Sequence, residues 1–155
     1  MTECLLQYNT YRDTTARRCV KICPINESMF ADNVSRICRS QCPANYYADY
    51  STRYCVSQCP SVPALFAILD IRVCNDKCPA NSWADNKTRN CILNKCPATP
   101  DTYADNSTWA CVSECPTKPM SWADNSTRFC VSQCPNNPDF YADNFTRRCV
   151  YNCSQ

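Results

Sequence analysis

The sequence contains neither glycine nor histidine. Without glycine there is no phosphate-binding loop of the Walker or dinucleotide type, because those loops depend on glycine for close backbone approach. Without histidine the chain lacks the usual general base and the commonest metal ligand. These absences exclude most enzyme classes. We therefore expect a protein that is not an enzyme, with no catalytic residue, cofactor or metal.

Long apolar runs and a strong charge imbalance are also missing. No stretch offers the eighteen or more uncharged apolar residues that a membrane span requires. Residues 1–4 lack the basic start and apolar run of a signal peptide, so any export signal is expected to be removed or outside this numbering. The net charge of +2, from 16 basic and 14 acidic residues, is too small to predict nucleic acid as a partner.

Cysteine is abundant instead, with 17 residues. This density is typical of a disulfide scaffold in an oxidising compartment. The sequence therefore predicts a secreted or cell-surface protein.

The cysteines follow an internal repeat of 17 to 20 residues, of which Cys134 to Cys153, CPNNPDFYADNFTRRCVYNC, is representative. Repeats of this length predict an array of small units that bury their faces against one another. The predicted modules are residues 1–19 (a diverged cap), 20–38, 39–55, 56–74 (an apolar variant), 75–91, 92–111, 112–130 and 131–149, followed by a C-terminal end at 150–155.

An aromatic residue stands eight positions before each module-ending cysteine. A binding stripe for sugars or peptides is one interpretation, but such short units need something to bury, which favours a stacking ladder between modules. These ladder residues are Tyr11, Phe30, Tyr47, Phe66, Trp83, Tyr103, Trp122 and Tyr141.

Two positions after the aromatic comes Asp in seven modules, and Arg follows four residues later in six of them. Tyr-Ala-Asp, then Asn-x-Thr, then Arg-x-Cys-Val is typical of two short strands joined by a turn. We expect Asp and Arg to face each other across the turn as an exposed pair worth about 0 to 1 kcal/mol. The predicted fold is all-β, small and disulfide-rich, a rod-like tandem array of eight short β-hairpin modules with little helix.

Pairing the second cysteine of one module boundary with the first of the next would close every module as a ring. Each ring would stabilise the fold by about 3 kcal/mol, although sequence alone does not establish connectivity. Zinc is the main alternative, but the spacing is mostly C-x3-C and no histidine accompanies it. The proposed pairs are Cys4 with Cys19, Cys23 with Cys38, Cys42 with Cys55, Cys59 with Cys74, Cys78 with Cys91, Cys96 with Cys111, Cys115 with Cys130, and Cys134 with Cys149.

This pairing leaves Cys153 alone. An odd cysteine in a secreted chain predicts an intermolecular bond or a free thiol. Cys4 and Cys153 are also the two second cysteines that proline does not follow. We therefore expect the ends of the array there, and we expect Cys153 to join copies or to lie at a chain junction.

The fourth module replaces polar turn residues with an apolar run. Exposed apolar patches on repeat proteins mark contacts with other chains, although a repacked turn is an equal alternative. The possible interface comprises Ala64, Leu65, Phe66, Ile68 and Leu69.

Asn-x-Ser/Thr acceptors recur at one module position. In a secreted chain this register predicts covalent N-linked glycans, while the alternative is that Asn and Thr simply suit the turn. The predicted sites are Asn33, Asn86, Asn106, Asn125 and Asn144, with Asn26 and Asn152 as less favourable candidates.

The recurring C-V-x-x-C-P-x-x-Y-Y-A-D-x-x-T-R-x-C-V of Cys38 to Cys59 and its neighbours resembles the furin-like, growth-factor-receptor-type cysteine-rich repeats, especially the arrays on surface proteins of ciliate-like unicellular eukaryotes. The resemblance covers nearly the whole chain. It implies stacks of disulfide-closed β-fingers, an extracellular location and a non-catalytic role, and it supports the ring pairing. We expect a structural glycoprotein that forms homo-oligomers or filaments of a surface coat. The alternative is a ligand-binding receptor or adhesin ectodomain.

Overall fold

A computed structural model of the chain describes Cys4, residues 9–136 and residues 139–152. Within these residues there are sixteen β-strands and no helix. The strands form eight two-stranded hairpins, and eight disulfides accompany them. The predicted all-β, disulfide-rich fold of short hairpins is confirmed.

Each strand is three or four residues long, and hairpins 1 to 8 each contain two consecutive strands. The strands are β1 (Tyr11–Asp13), β2 (Arg18–Val20), β3 (Phe30–Asp32), β4 (Ile37–Arg39), β5 (Tyr47–Asp49), β6 (Tyr54–Val56), β7 (Phe66–Ile68), β8 (Val73–Asn75), β9 (Ser82–Asp85), β10 (Asn90–Leu93), β11 (Tyr103–Asp105), β12 (Ala110–Val112), β13 (Trp122–Asp124), β14 (Phe129–Val131), β15 (Tyr141–Asp143) and β16 (Arg148–Val150).

The chain divides into two compact units, Met1–Lys77 and Cys78–Gln155. Strand order in the first unit is β7, β8, β5, β6, β3, β4, β1, β2, and in the second it is β15, β16, β13, β14, β11, β12, β9, β10. Strands within a hairpin are antiparallel, whereas the first strand of one hairpin pairs in parallel with the second strand of the next, as β1 does with β4 and β11 with β14. Each unit is thus a series of hairpins joined edge to edge.

A buried aspartate organises the turn of seven hairpins. In hairpin 6, Asp105 Oδ1 accepts a hydrogen bond from the Ser107 backbone N–H at 2.9 Å, and Asp105 Oδ2 accepts one from the Thr108 hydroxyl at 2.6 Å. A backbone hydrogen bond also closes the turn, as in hairpin 7, where the Arg128 N–H donates to the Asp124 carbonyl at 2.9 Å. The carboxylate therefore supplies acceptors to turn donors that have no strand partner.

These hydrogen bonds also set the ionisation of the carboxylates. Burial alone would raise the pKa of Asp105, but hydrogen bonds from Thr108 and Ser107 outweigh it and hold the pKa below its ordinary value. The pKa is lowered in the same way at Asp32, Asp49 and Asp124. These groups are consequently ionised acceptors at neutral pH.

The core is a series of small clusters, each of which joins the aromatic of one hairpin to the disulfide and the central alanine of the next. Tyr11 packs with Ala31 and the Cys23–Cys38 bridge. A module of this size buries too little surface to fold alone, so it depends on the disulfide within it and on the neighbour beside it. The equivalent clusters are Phe30 with Ala48, Cys42 and Cys55, Trp83 with Ala104, Cys96 and Cys111, and Tyr103 with Ala123 and Cys115.

The aspartate turn can be tested by comparing Asp105→Ala with Asp70→Ala. Asp105 is 4% exposed, and its removal leaves Ser107 and Thr108 donors without their acceptor. We expect Asp105→Ala to lower the free energy of unfolding by about 1 to 3 kcal/mol. Asp70 is exposed in the turn of hairpin 4, so Asp70→Ala should change stability by less than about 0.5 kcal/mol.

Urea unfolding followed by tryptophan fluorescence, with the disulfides intact, measures both variants. Equal losses of stability would contradict a structural role for the buried carboxylate.

Candidate functional site

The residue that ends each hairpin turn adopts a left-handed backbone conformation, with φ between 52° and 66°. For a residue with a Cβ this conformation costs about 1 to 2 kcal/mol. The chain nevertheless uses arginine at seven of these positions, so contacts made in this conformation have to offset the cost. The residues are Arg17, Arg36, Arg53, Arg72, Arg89, Trp109, Arg128 and Arg147.

The carbonyl of this left-handed residue joins its hairpin to the preceding one. It accepts a hydrogen bond from the central residue of the preceding hairpin's first strand, at 2.8 to 3.0 Å. The position is thus the parallel link between hairpins. The bonds described are Arg12 N to Arg36 O, Ala31 N to Arg53 O, Ala48 N to Arg72 O, Ala84 N to Trp109 O, Ala104 N to Arg128 O, and Ala123 N to Arg147 O.

The guanidinium group of the same arginine lies over the ladder ring of the preceding hairpin. Such cation–π contacts contribute about 0.5 to 2 kcal/mol each, depending on burial. Among the described residues, the buried Nε atoms of these four arginines have no hydrogen-bond partner. The distances from guanidinium carbon to ring centroid are 4.2 Å for Arg36 on Tyr11, 4.8 Å for Arg53 on Phe30, 4.3 Å for Arg128 on Tyr103 and 5.5 Å for Arg147 on Trp122.

The terminal nitrogens of the arginine reach backbone carbonyls beside that ring. Arg128 Nη2 donates to the carbonyls of Pro97 at 2.9 Å and Thr102 at 2.5 Å. Arg147 Nη2 repeats this on Pro116 at 2.8 Å and Ser121 at 2.7 Å. One side chain therefore caps a ring and satisfies two carbonyls of its neighbour, which explains why arginine rather than glycine occupies this position.

The turn asparagine of the following hairpin binds the polar edge of the same ring. Trp83 Nε1–H donates to Asn106 Oδ1 at 3.1 Å, and Trp122 Nε1–H donates to Asn144 Oδ1 at 3.2 Å. The hydroxyls of Tyr11 and Tyr103 donate to Asn33 Oδ1 and Asn125 Oδ1. Where the ring is Phe30, which has no donor, Tyr50 stands in place of asparagine and makes an edge contact at 5.0 Å.

A side chain from the second following hairpin completes the cover of three ladder rings. Tyr54 contacts Tyr11 with ring centroids 6.0 Å apart, and Phe129 contacts Trp83 at 5.0 Å. Arg148 lies 5.5 Å from the Tyr103 ring and donates to its hydroxyl at 3.0 Å. Three successive hairpins therefore meet at one ring.

Tyr103 carries the most polar of these contacts, because Asp101 lies beside it. Arg128 and Arg148 bind the two Asp101 carboxylate oxygens at 2.5 and 2.6 Å. Hydrogen bonds from these two arginines lower the pKa of Asp101 to about 2. The cluster links hairpins 6, 7 and 8 around one buried tyrosine.

We call this recurring set the hairpin junction: the left-handed residue with its side chain, the ladder ring of the preceding hairpin, and the turn residue that meets the ring's edge. The disulfides stabilise each hairpin internally, and the junction stabilises each pair of neighbours. The candidate functional site of this protein is thus the hairpin junction, a contact surface between neighbouring hairpins that recurs along the chain.

The structure joins the same eight cysteine pairs that the ring scheme proposes, with Cα atoms 5.5 to 5.7 Å apart. Cys153 lies outside the described residues. Most ladder rings are buried, but arginine lies over four of them, so cohesion there comes from guanidinium on ring rather than from a continuous stack of rings.

The expected exposed pair of Asp and Arg across each turn is wrong. The aspartates are buried, at 0% exposure for Asp49, and bind their own turn. Arg89 also bonds its own turn, at Asn86. Five other arginines bind the preceding hairpin, namely Arg36, Arg53, Arg72, Arg128 and Arg147. The reason is the register between hairpins, because the parallel pairing places the ladder ring of the preceding hairpin beside these arginines. The signal available in the sequence was the fixed arginine position, which was interpreted as half of an ion pair.

The apolar run of hairpin 4 is largely used within its own unit. Phe66 is 7% exposed, and Leu65 packs on the cluster of Cys59, Ala67 and Cys74. Of the proposed interface, Ala64 and Leu69 are exposed, while Leu65 and Ile68 are half-buried. Phe66 therefore offers little surface to another chain, and the proposed interface stays a prediction for the exposed part of this run.

The glycan acceptors are all exposed, and each recurring one also has a structural partner. The third residue of the acceptor donates its hydroxyl to the turn aspartate, as Thr127 does to Asp124 at 2.7 Å. Thr52 makes the same bond to Asp49 in hairpin 3, where no acceptor asparagine exists. The fold thus gives Asn and Thr separate reasons to recur, and glycosylation stays a prediction.

Within the described residues no group of three or more Cys, Asp or Glu side chains is arranged to hold a metal ion. The described part of the chain also has no helix long and apolar enough to span a membrane. Comparison of the chain with protein families, curated proteins and solved structures finds no significant match. The class that the fold itself defines is a disulfide-closed β-hairpin repeat array.

The junction can be tested by comparing Arg128→Gly with Arg17→Gly. Glycine relieves the left-handed backbone at both positions, but Arg128 also loses its contacts with Tyr103, Pro97 and Thr102. We expect Arg128→Gly to lower the free energy of unfolding by about 2 kcal/mol. Arg17 is exposed, so Arg17→Gly should be neutral or slightly stabilising.

Urea midpoints of the oxidised proteins measure the difference between the two variants. A gain of stability in both variants would show that the guanidinium contacts contribute little.

Proposed function

We propose that this protein is a structural extracellular glycoprotein whose copies assemble into a surface coat or filament. The observation that carries the proposal is the hairpin junction, which recurs between successive hairpins within each unit. It engages the aromatic, arginine and asparagine side chains that would otherwise serve for ligand binding. The buried aspartates are likewise engaged in their turns, which supports a role without catalysis or cofactors.

The eight disulfides indicate a secreted or extracellular protein, because such bonds persist in oxidising compartments. The proposed relation to furin-like cysteine-rich arrays rests on the sequence motif alone. It agrees with the disulfide-closed hairpins, and it supports display at a cell surface.

N-linked glycans are the second part of the proposal. The acceptor asparagines are exposed, and their hydrogen bonds with the ladder rings use Oδ1, as at Asn106 and Asn144. A sugar is attached through Nδ2, so attachment and the junction bond are compatible. The recurring acceptors would place sugars at the hairpin turns, where they would shield the coat.

A receptor or adhesin is the second candidate function. It is favoured by exposed apolar side chains in hairpin 4 and in the segment before it. Val62 is 88% exposed, Ile71 57% and Leu69 47%. A patch of this kind suits contact with another protein. A chain that stays monomeric and captures a soluble ligand through these residues would support this candidate over the first.

Intact mass and electron microscopy of the chain secreted from eukaryotic cells test the proposal. We expect a mass above the 17.7 kDa of the polypeptide, and enzymatic removal of N-glycans should return it to that value. Peptide mapping should place the sugars at Asn33, Asn86, Asn106, Asn125 and Asn144.

Microscopy of the same material should show extended or sheet-like assemblies. Hairpin 3, which has no acceptor asparagine in its turn, is the internal control for the mapping. Isolated particles of the bare polypeptide mass would contradict both the assembly and the glycans.

A further inference from the structure

Hairpin 8 carries an incomplete junction. Its ladder ring, Tyr141, is 53% exposed, whereas Tyr11 and Tyr103 are at most 1% exposed. The central residue of β15, Ala142, is exposed, while Ala104 and Ala123 are buried. Among the described residues β15 pairs only with β16. This face therefore presents a ring and a strand edge without the partners that the same features have elsewhere.

The burial of the ladder rings decreases from hairpin 6 to hairpin 8. Tyr103 contacts Arg128 from the next hairpin and Arg148 from the one after, and it is fully buried. Trp122 contacts Arg147 from the next hairpin and is half-buried. Tyr141 is exposed. By analogy with Tyr103 and Trp122, the group that would cover Tyr141 is the left-handed arginine of a neighbouring hairpin.

Hairpin 1 presents the complementary half of a junction. Arg17 is left-handed, with φ of 52°, yet it is exposed, whereas Arg36, Arg53 and Arg128 are partly buried by the preceding hairpin. Cys19 is exposed as well, although its counterpart Cys38 is 3% exposed. The side of hairpin 1 that corresponds to the covered side of hairpin 2 is therefore exposed at Arg17 and Cys19.

We propose that the β15 face of one copy binds hairpin 1 of a second copy through an intermolecular hairpin junction. This inference rests on the proposed self-assembly and names its surface. The Arg17 guanidinium covers the Tyr141 ring, and the Arg17 carbonyl accepts the Ala142 N–H. Arg18 covers Trp122, as Arg148 covers Tyr103 within the chain.

The occupant is a second copy because the required partner is this chain's own repeated interface in the same register. Arg17 also meets suitable acceptors on hairpin 8, since the carbonyls of Pro135 and Phe140 occupy the positions that Pro97 and Thr102 hold in the Arg128 junction. An unpaired strand edge is a general template for such addition. The contact is heterologous, so it joins copies head to tail.

Sedimentation velocity of the full oxidised chain over a wide concentration range tests the proposal. Cys153→Ser is the background, so that association is read without a disulfide between copies. We expect reversible association that Tyr141→Ala and Arg17→Gly each weaken by about tenfold or more. Tyr141→Trp should retain association, because Trp83 and Trp122 serve as ladder rings within the chain.

Two matched controls separate the junction from general stickiness or charge. Phe145 is 91% exposed on the same hairpin as Tyr141, and Lys21 is exposed directly after β2 of hairpin 1. The position of Lys21 stays exposed in covered hairpins too, as Ser40 and Ser57 show. Phe145→Ala and Lys21→Ala should leave association within about twofold. Unchanged urea midpoints for Tyr141→Ala and Arg17→Gly would show that the variants fold.

The outcomes distinguish this surface from the broader function. Association that is insensitive to both Tyr141→Ala and Arg17→Gly overturns the proposed surface and leaves self-assembly standing through another contact. A chain that stays monomeric at every concentration overturns both. Association lost in the control variants as much as in the test variants also overturns the surface.

Discussion

The left-handed arginine that ends seven of the eight hairpin turns is the residue on which the rest of the structure depends. Its backbone closes one hairpin, its carbonyl pairs with the preceding hairpin, and its guanidinium covers that hairpin's ring. At Arg128 these contacts converge on Ala104 and Tyr103. A residue with a Cβ is disfavoured in this conformation by about 1 to 2 kcal/mol. The contacts with the preceding hairpin therefore offset the energy of the left-handed backbone at this position.

Two kinds of restraint act at different distances along the chain. Each disulfide joins cysteines 13 or 15 positions apart in the chain. By reducing the entropy of the unfolded chain, each bond stabilises the folded state by about 3 kcal/mol. The junction acts between hairpins, through hydrogen bonds, cation–π contacts and buried rings. Stability in such an array is approximately a sum of unit terms and nearest-neighbour terms. The contact of Arg148 with Tyr103 extends this coupling to the second neighbour.

The sequence predicted the hairpins, their bounds near Tyr103 and Cys111, and a fold with little helix, because cysteine spacing and turn residues report local structure. It did not predict the burial of Asp105 or the direction of Arg128. Arg128 has positive φ, and arginine carries no propensity that signals this conformation. The absence of glycine hid these positions, since glycine is the usual marker of a left-handed turn residue.

The ladder illustrates the same limit. Its positions were predicted from an eight-residue offset, but its contacts depend on the parallel register between hairpins. That register places Asn106 at Trp83 and Arg147 at Trp122. Single-sequence patterns describe a strand's faces and not the identity of its neighbour, so an acceptor motif for glycans and a junction contact were indistinguishable. The paired occurrence of Phe30 with Tyr50 becomes meaningful only once the register is known.

Residue-resolved hydrogen exchange on the native chain and on Arg128→Gly tests the role of the left-handed arginine most directly. The Ala104 N–H donates to the Arg128 carbonyl at 2.8 Å, so its exchange reports one junction. The account predicts that the substitution accelerates exchange at Ala104 and leaves Ala31, in the other unit, unchanged. Protection at Ala104 that is equal in the two proteins would contradict it.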